Sequence, residues 1–245
     1  MLERLEVRWQ ALLERVQAEK AARIEAFQAS GGECMSCFDT GPCVACARGQ
    51  AVMAELDEAE REARYRERVD RSGLPARFRG LTFDTFPGQR ELAQEMSAFV
   101  RGWDRRQNLL LLGAYGTGKT GLLAASVDDL ARRGHAATFT TTPLLFDRLR
   151  AGYEDGSFAR LAGLCQTTAL LILDDLGAER PTEWVRERLY AIVNHRYEHQ
   201  LPTWASSNLP PDDLAAVIGE RVWWRLQEGA RLIVATGPNL RGRQS

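Results

Sequence analysis

This 245-residue sequence predicts an α/β fold, a five-stranded parallel sheet covered by helices, on three observations. Apolar runs at 109–112, 136–142, 169–175, 203–208 and 231–236 alternate with helix-like stretches, and near-continuous apolar strands separated by helices read as parallel strands covered on both faces. The first run, four leucines, delivers the turn Gly113-Ala114-Tyr115-Gly116-Thr117-Gly118-Lys119-Thr120, which fits G-x-x-x-x-G-K-[ST] at every fixed position. The third run ends in two carboxylates, Asp174-Asp175, which a buried strand would set at the sheet edge beside that turn.

Composition bounds the rest. With 44% hydrophobic and 27% charged residues the chain can bury an ordinary core, and a net charge of −1 advertises no nucleic acid globally, so any DNA contact needs a local patch or an assembly. No apolar run approaches the roughly 18 residues that span a bilayer, and the N-terminus is charged and amphipathic, unlike a signal peptide. A cytoplasmic protein with no membrane partner is expected.

In chain order, residues 1–28 read as an amphipathic helix in which Leu2, Leu5, Trp9, Leu12 and Val16 step by threes and fours. The stripe is short for a coiled coil and suits either a partner surface or packing on its own domain. Cys34, Cys37, Cys43 and Cys46 follow as two C-x-x-C pairs around a short loop containing Gly41 and Pro42. Four thiolates are the set that tetrahedral Zn2+ accepts, and a reducing compartment favours metal over disulfides. The loop is shorter than in a zinc ribbon, so a compact zinc knuckle is expected, with an iron–sulfur site or redox thiols as alternatives. Cys165 stands apart and reads as a small buried side chain. Residues 52–71 read as a second helix whose alternating Glu and Arg mark a solvated face, and Ser72-Gly73-Leu74-Pro75 breaks it. The expected division is a helix–zinc–helix module for partner binding at 1–72 and a nucleotide domain at 73–245.

Phe78, Leu81, Phe83 and Phe86 recur through the following linker, fit either to wall an adenine pocket or to plug the side of the core, and a helix is expected at 89–103. In the glycine-rich turn, backbone N–H groups from Gly113 through Gly121 wrap a polyphosphate, at an approach that glycines at 113, 116 and 118 permit. Lys119 reaches the β- and γ-phosphates, Thr120 gives Mg2+ a hydroxyl, and the helix starting here adds its positive end. ATP or ADP with Mg2+ is therefore the expected ligand. Asp174 is assigned to the metal and Asp175 to the attacking water. Asn208, at the tip of the next strand in Ser206-Ser207-Asn208, reads as a sensor of the γ-phosphate, with a simple turn-forming Asn as the alternative. Arg221 and Arg225 are four apart and share a helix face. They suit neutralisation of phosphoryl charge on a neighbouring subunit, or else salt bridges to Glu220 or Glu228. Trp223 and Trp224 read as core or subunit contacts.

Together these residues resemble the AAA+ P-loop NTPases of the bacterial replicative helicase loader family, the DnaC and DnaI proteins, and their relatives the IstB transposition ATPases. The resemblance runs from about 74 to 241. It rests on Leu74-Pro-Ala-Arg-Phe-Arg79, Thr82-Phe-Asp-Thr-Phe86, the phosphate loop, Leu173-Asp-Asp-Leu-Gly-Ala-Glu179, Ser207-Asn208 and Gly219-Glu-Arg221 through Arg225. It implies that Arg225 is the arginine finger with Arg221 its substitute, that Asn208 is the first sensor, and that 143–161, with Phe146, Tyr153 and Phe158, is a helical insertion that binds single-stranded DNA, the alternative there being a plain amphipathic helix pair. Where many AAA+ proteins have Asp-Glu this chain has Asp174-Asp175, which implies slow, partner- or DNA-stimulated hydrolysis. Too few residues follow the fifth strand for a C-terminal lid domain, as in the loaders.

The implied function is an ATP-dependent loader that delivers the replicative DNA helicase onto single-stranded DNA in replication initiation or restart. The N-terminal module would bind the helicase, and the ATPase domain would self-associate. The alternatives are an IstB-like transposition helper that binds duplex DNA, a small-molecule kinase, and a non-hydrolysing nucleotide switch. Asn208 with Arg225, and the lack of an acceptor-binding lid, argue against a kinase.

Overall fold

The computed structural model describes residues 2–29 and 47–240 and divides into two compact units, 1–71 and 72–245. The four clustered cysteines, Cys34, Cys37, Cys43 and Cys46, and with them the expected zinc knuckle, lie outside the described residues.

The first unit is a helical hairpin, α1 (Leu2–Ala29) against α2 (Ala47–Arg71), the latter beginning a turn earlier than the sequence predicts. Lys20 of α1 bonds both Asp57 and Glu60 of α2 at 2.5 Å, and Glu60 also receives Arg64. These cations hold the Glu60 carboxyl down at about 2, chiefly through Lys20. Leu13 and Val16 are buried on the helical spacing that leads to Lys20, whereas Leu12 is 38% exposed. Of the predicted stripe, Val16 is buried as expected while Leu13 takes the place of Leu12, because the face is fixed by what α2 presents. The remaining charges of α2 pair along its own surface, Arg66 with Glu62 and Arg71 with Glu67, as an exposed i,i+4 ladder does.

The second unit opens with a 3-10 turn (Ala76–Phe78), α3 (Arg90–Gly102), β1 (Leu109–Leu112) and α4 (Lys119–Arg132). There follow β2 (Thr138–Thr141), α5 (Thr142–Asp155), α6 (Phe158–Thr167), β3 (Leu171–Asp174), α7 (Glu183–Glu198), β4 (Thr203–Ser207), α8 (Pro211–Ile218), α9 (Glu220–Gln227) and β5 (Arg231–Val234). The five strands form one parallel sheet in the order β2-β3-β4-β1-β5. The apolar run expected to be strand through Thr142 ends one residue sooner, since Thr142 opens α5 and Pro143, in its first turn, cannot donate to a ladder.

Alternation along the strands splits the core in two. Leu109, Leu111, Ile172, Trp204 and Ile233 pack with α3 and α4, while Leu110, Leu112, Leu171, Leu173 and Ala205 pack with α5, α7, α8 and α9. Trp204 is fully buried, tilted against Phe99 and edge-on to Trp103, and both indoles donate to the Gln107 carbonyl. Cover is incomplete at one edge: Leu232 and Val234 of β5 are 49% and 56% exposed, and only Ile233 is buried. The expectation of helices over both faces thus holds for the inner strands and fails for β5, which turns one apolar face outward. Among the described residues no α-helix follows β5.

Because β4 lies between β3 and β1, the carboxyl ends of these three strands meet at one edge. That is where open α/β sheets place ligands.

Candidate nucleotide-binding site

The loop between β1 and α4 is folded by close approaches only glycine allows. Gly113, at φ +152, lies with its Cα against the Ala235 carbonyl, and Gly118, at φ +95, against the ring of Phe86, 2.6 Å from where a Cβ would stand. Gly118 also precedes the first turn of α4 with no side-chain cap, so the helix's opening N–H groups are left for a ligand. Gly121 faces Phe86 and Leu81 from inside α4, and its backbone N–H is what it can offer a phosphate. Ala114 and Tyr115 are exposed at the tip, and the Thr117 hydroxyl donates to the Ala114 carbonyl at 2.9 Å. The Leu240 N–H donates to the Gly116 carbonyl at 2.8 Å, which ties the segment after β5 across the loop.

Lys119 is 5% exposed and its ammonium donates to the Gly113 and Ala114 carbonyls, at 2.7 and 2.9 Å, and to Asn208 Oδ1 at 2.6 Å. Thr120 Oγ1 donates to Asp174 Oδ2 at 2.8 Å. Asp174, buried at the tip of β3, accepts on its other oxygen from Ser206 Oγ at 2.5 Å. Burial, and then the neighbouring Asp175 carboxylate, lift its pKa above the ordinary range; Ser206, Thr120 and Lys119 pull the other way without cancelling that rise. Asp175 takes a left-handed φ of +56, and Asn208 Nδ2 donates to its Oδ1 at 3.4 Å. Asn208 thus spans the lysine and the second carboxylate. Glu179, from the run that carries the resemblance, is buried with a raised pKa and receives the Gly177 N–H at 3.1 Å.

Phe78, Phe83 and Phe86 pack against the core beside the loop, and Phe83 and Phe86 also line a hollow of about 560 Å3 with Arg90, Gln94 and Arg101, so these two rings serve as plug and wall at once. A separate cleft of about 250 Å3 is lined by Pro87, Gly88, Gln89, Thr117, Thr236, Gly237, Pro238 and Leu240.

The family model described as IstB-like ATP binding protein matches residues 44–223. The chain belongs to that family. Among curated proteins it is 33% identical to the replicative helicase loader DnaI of Bacillus subtilis over 132 residues, covering 52% of this chain and 42% of DnaI. Among solved structures, the DnaC helicase loader matches at a TM-score of 0.60 with 25% identity, over 66% of this chain and 100% of that one. The crystal structure of DnaI matches at 0.59 with 27% identity, over 68% and 94%. No described helix is long and apolar enough to cross a membrane.

In this IstB-like domain the two arginines of α9 have unequal surroundings. Arg221 is exposed. Arg225 donates to Asn194 Oδ1 and to the Arg221 carbonyl, both at 2.8 Å, and its guanidinium lies over the rings of Tyr190 and Tyr197, at 5.1 and 5.5 Å. The salt bridges to Glu220 or Glu228 that the spacing allowed are not its partners. Glu228 instead accepts from the Tyr197 hydroxyl. Trp223 packs on the core and Trp224 is 64% exposed. Of the aromatics on α5 and α6, Phe146 is core, while Tyr153 is exposed and stacked on Phe158 at 4.3 Å. Trp184 of α7 joins this cluster under Arg150.

Sequence reasoning missed Ser206, Asn108 and Arg196. Asn108 donates to the Arg225 and Leu226 carbonyls and accepts from Thr203 N, so it pins the end of α9 to the sheet. Arg196 is fully buried, bonded to the carbonyls of Cys165, Gln166, Thr168 and Pro202 and to Thr203 Oγ1, and burial depresses its pKa to about 10. A charged residue in a helical stretch carries no sequence signal of that role.

Proposed function

We propose that the chain is an ATPase that loads a replicative helicase onto single-stranded DNA. The observation that carries this reading is the length of the likeness: about two thirds of the chain matches the whole of the solved DnaC chain and 94% of the solved DnaI chain. The chain spans less than half the length of the DnaI relative it matches.

In this reading the cleft beside Thr117 takes the adenine, and residues 113–121 take the phosphates. Lys119 exchanges the Asn208 amide for the β- and γ-phosphates, which releases Asn208 to touch the γ-phosphate or the attacking water. Thr120 and Asp174 converge two hard oxygens, the donor type Mg2+ selects; with Mg2+ bound there, charge on the phosphoryl oxygens is neutralised. Asp175 accepts a hydrogen bond from the water and aligns it for in-line attack. Arg225 leaves its seat on Tyr190 and Tyr197 to approach the phosphates of a neighbouring copy, with Arg221 as the exposed substitute. Tyr153, with Arg150 and Arg148 on the same helix, offers single-stranded DNA a ring to stack on and charge along the backbone. The N-terminal unit binds the helicase, its four cysteines holding a zinc ion that metal analysis and chelation with circular dichroism would reveal.

The test is co-elution of the full chain with its organism's replicative helicase on size exclusion with ATP, beside a chain starting at Ser72. A complex that requires 1–71 is expected; no complex with either chain overturns the loader reading. The family's own description favours a second reading, an IstB-like transposition helper, whose signature would be ATP-dependent assembly on duplex DNA.

A further inference from the structure

The last paired residues of β3 and β4 are Leu173 and Ala205. Beyond them the strands are joined by two serine hydroxyls. Ser206 is fully buried: its Oγ donates to Asp174 Oδ1 at 2.5 Å and accepts from the Asp175 N–H at 3.1 Å, and its carbonyl accepts from the Leu176 N–H at 2.7 Å. One hydroxyl therefore grips both members of the carboxylate pair. The two oxygens of Asp174 have separate partners, Oδ1 the buried Ser206 and Oδ2 the loop residue Thr120. Asp175 holds a left-handed backbone, a conformation that persists in an ordinary residue only where its surroundings over-determine it. Ser207, equally buried, donates to the Leu176 carbonyl at 2.6 Å and accepts from Leu209 N, touching neither carboxylate.

We infer that Ser206 is a positioning residue for the metal half of the site. Its hydroxyl fixes the Asp174 carboxylate so that Oδ2 is presented to Thr120 and the phosphate loop, and its bond to the Asp175 N–H sets the turn from which Asp175 meets Asn208. The inference rests on the nucleotide-site reading above. Ser207 performs the neighbouring structural task, lashing the chain after Asp175 to β4.

Binding of a fluorescent mant-ATP by the full-length protein, in EDTA and across a Mg2+ titration, separates the two serines. Ser206→Ala is expected to bind mant-ATP in EDTA as the unaltered protein does and to need about tenfold more Mg2+ for half-maximal response, the loss of one hydrogen bond to a charged group. Ser206→Thr, which keeps the hydroxyl, should restore the Mg2+ response, and Ser207→Ala should lower the melting temperature while leaving that response unchanged. An unchanged Mg2+ response in Ser206→Ala, or equal losses with and without Mg2+, would overturn the inference. Should Ser206→Ala fail to fold, Ser206→Cys keeps the shape with a weaker donor and takes the same titration; a normal Mg2+ response there overturns it equally. Failure of the unaltered protein to bind mant-ATP at all would overturn the nucleotide-site reading itself.

Discussion

Lys119 and Lys20 are each held by oxygens within 3 Å, in different units and to different ends. The Lys20 ammonium sits between two carboxylates, Asp57 and Glu60, and its charge is spent on holding α1 to α2. Lys119 donates to two backbone carbonyls and an amide oxygen, three neutral acceptors that an arriving polyphosphate can outcompete, and its charge is also felt by Asp174. The difference lies in the hydrogen-bond acceptors: carboxylates hold Lys20 in place, whereas neutral oxygens hold Lys119 and leave it able to exchange them for a charged ligand. A charge-assisted bond to phosphate is roughly twice as strong as one to a neutral oxygen.

Four substitutions test this contrast between the two lysines and their surroundings. Lys119→Ala should weaken mant-ATP binding by about 100-fold or more, since it removes the charge facing the phosphates; retention of tight binding would remove the recognition role altogether. Asp175→Asn should leave that affinity nearly intact while steady-state phosphate release falls about 100-fold, the size of a lost water-orienting base. Tyr153→Ala, at an exposed ring outside the loop, should lower single-stranded DNA affinity about tenfold by fluorescence anisotropy without changing nucleotide binding. Lys20→Ala should leave nucleotide binding untouched and cost the helical hairpin less than about 1 kcal/mol in denaturant melts, less still at high salt.

The same pair sets a pH dependence. Lys20 and Arg64 depress the Glu60 carboxyl from 4.5 to about 2, so the folded hairpin binds its proton less readily than the unfolded chain. Stability from this carboxylate is present in full above 4.5 and is lost as pH falls from 4.5 toward 2. Circular dichroism melts of the unaltered protein and Glu60→Gln over that window should converge at the acid end.

The phosphate loop was readable because its chemistry demands fixed residues at fixed spacing within one short segment, and Asp174-Asp175 because the carboxylates end an uninterrupted apolar run. Asn208 was readable for the same reason on the next strand. Leu12 was placed on the wrong face because a heptad step names a stripe without saying which neighbour covers it. Phe86 could not be told apart as pocket wall or plug, since either use wants an aromatic ring in the linker. Cover for β5 was overestimated because Leu232 and Val234 look like any buried strand until the helices run out at the sheet's edge.

By itself, then, the sequence determined the elements, the phosphate loop and the carboxylate pair, because each is written in local periodicity or contiguous spacing. Tertiary structure alone decided which oxygens meet Lys119, that Arg225 bonds Asn194 and lies over the rings of Tyr190 and Tyr197, and that Ser206 binds both aspartates. The physical reason is the strand order. Setting β4 between β3 and β1 brings together side chains far apart in the chain, and pairings across a parallel sheet leave no periodic trace in any one strand.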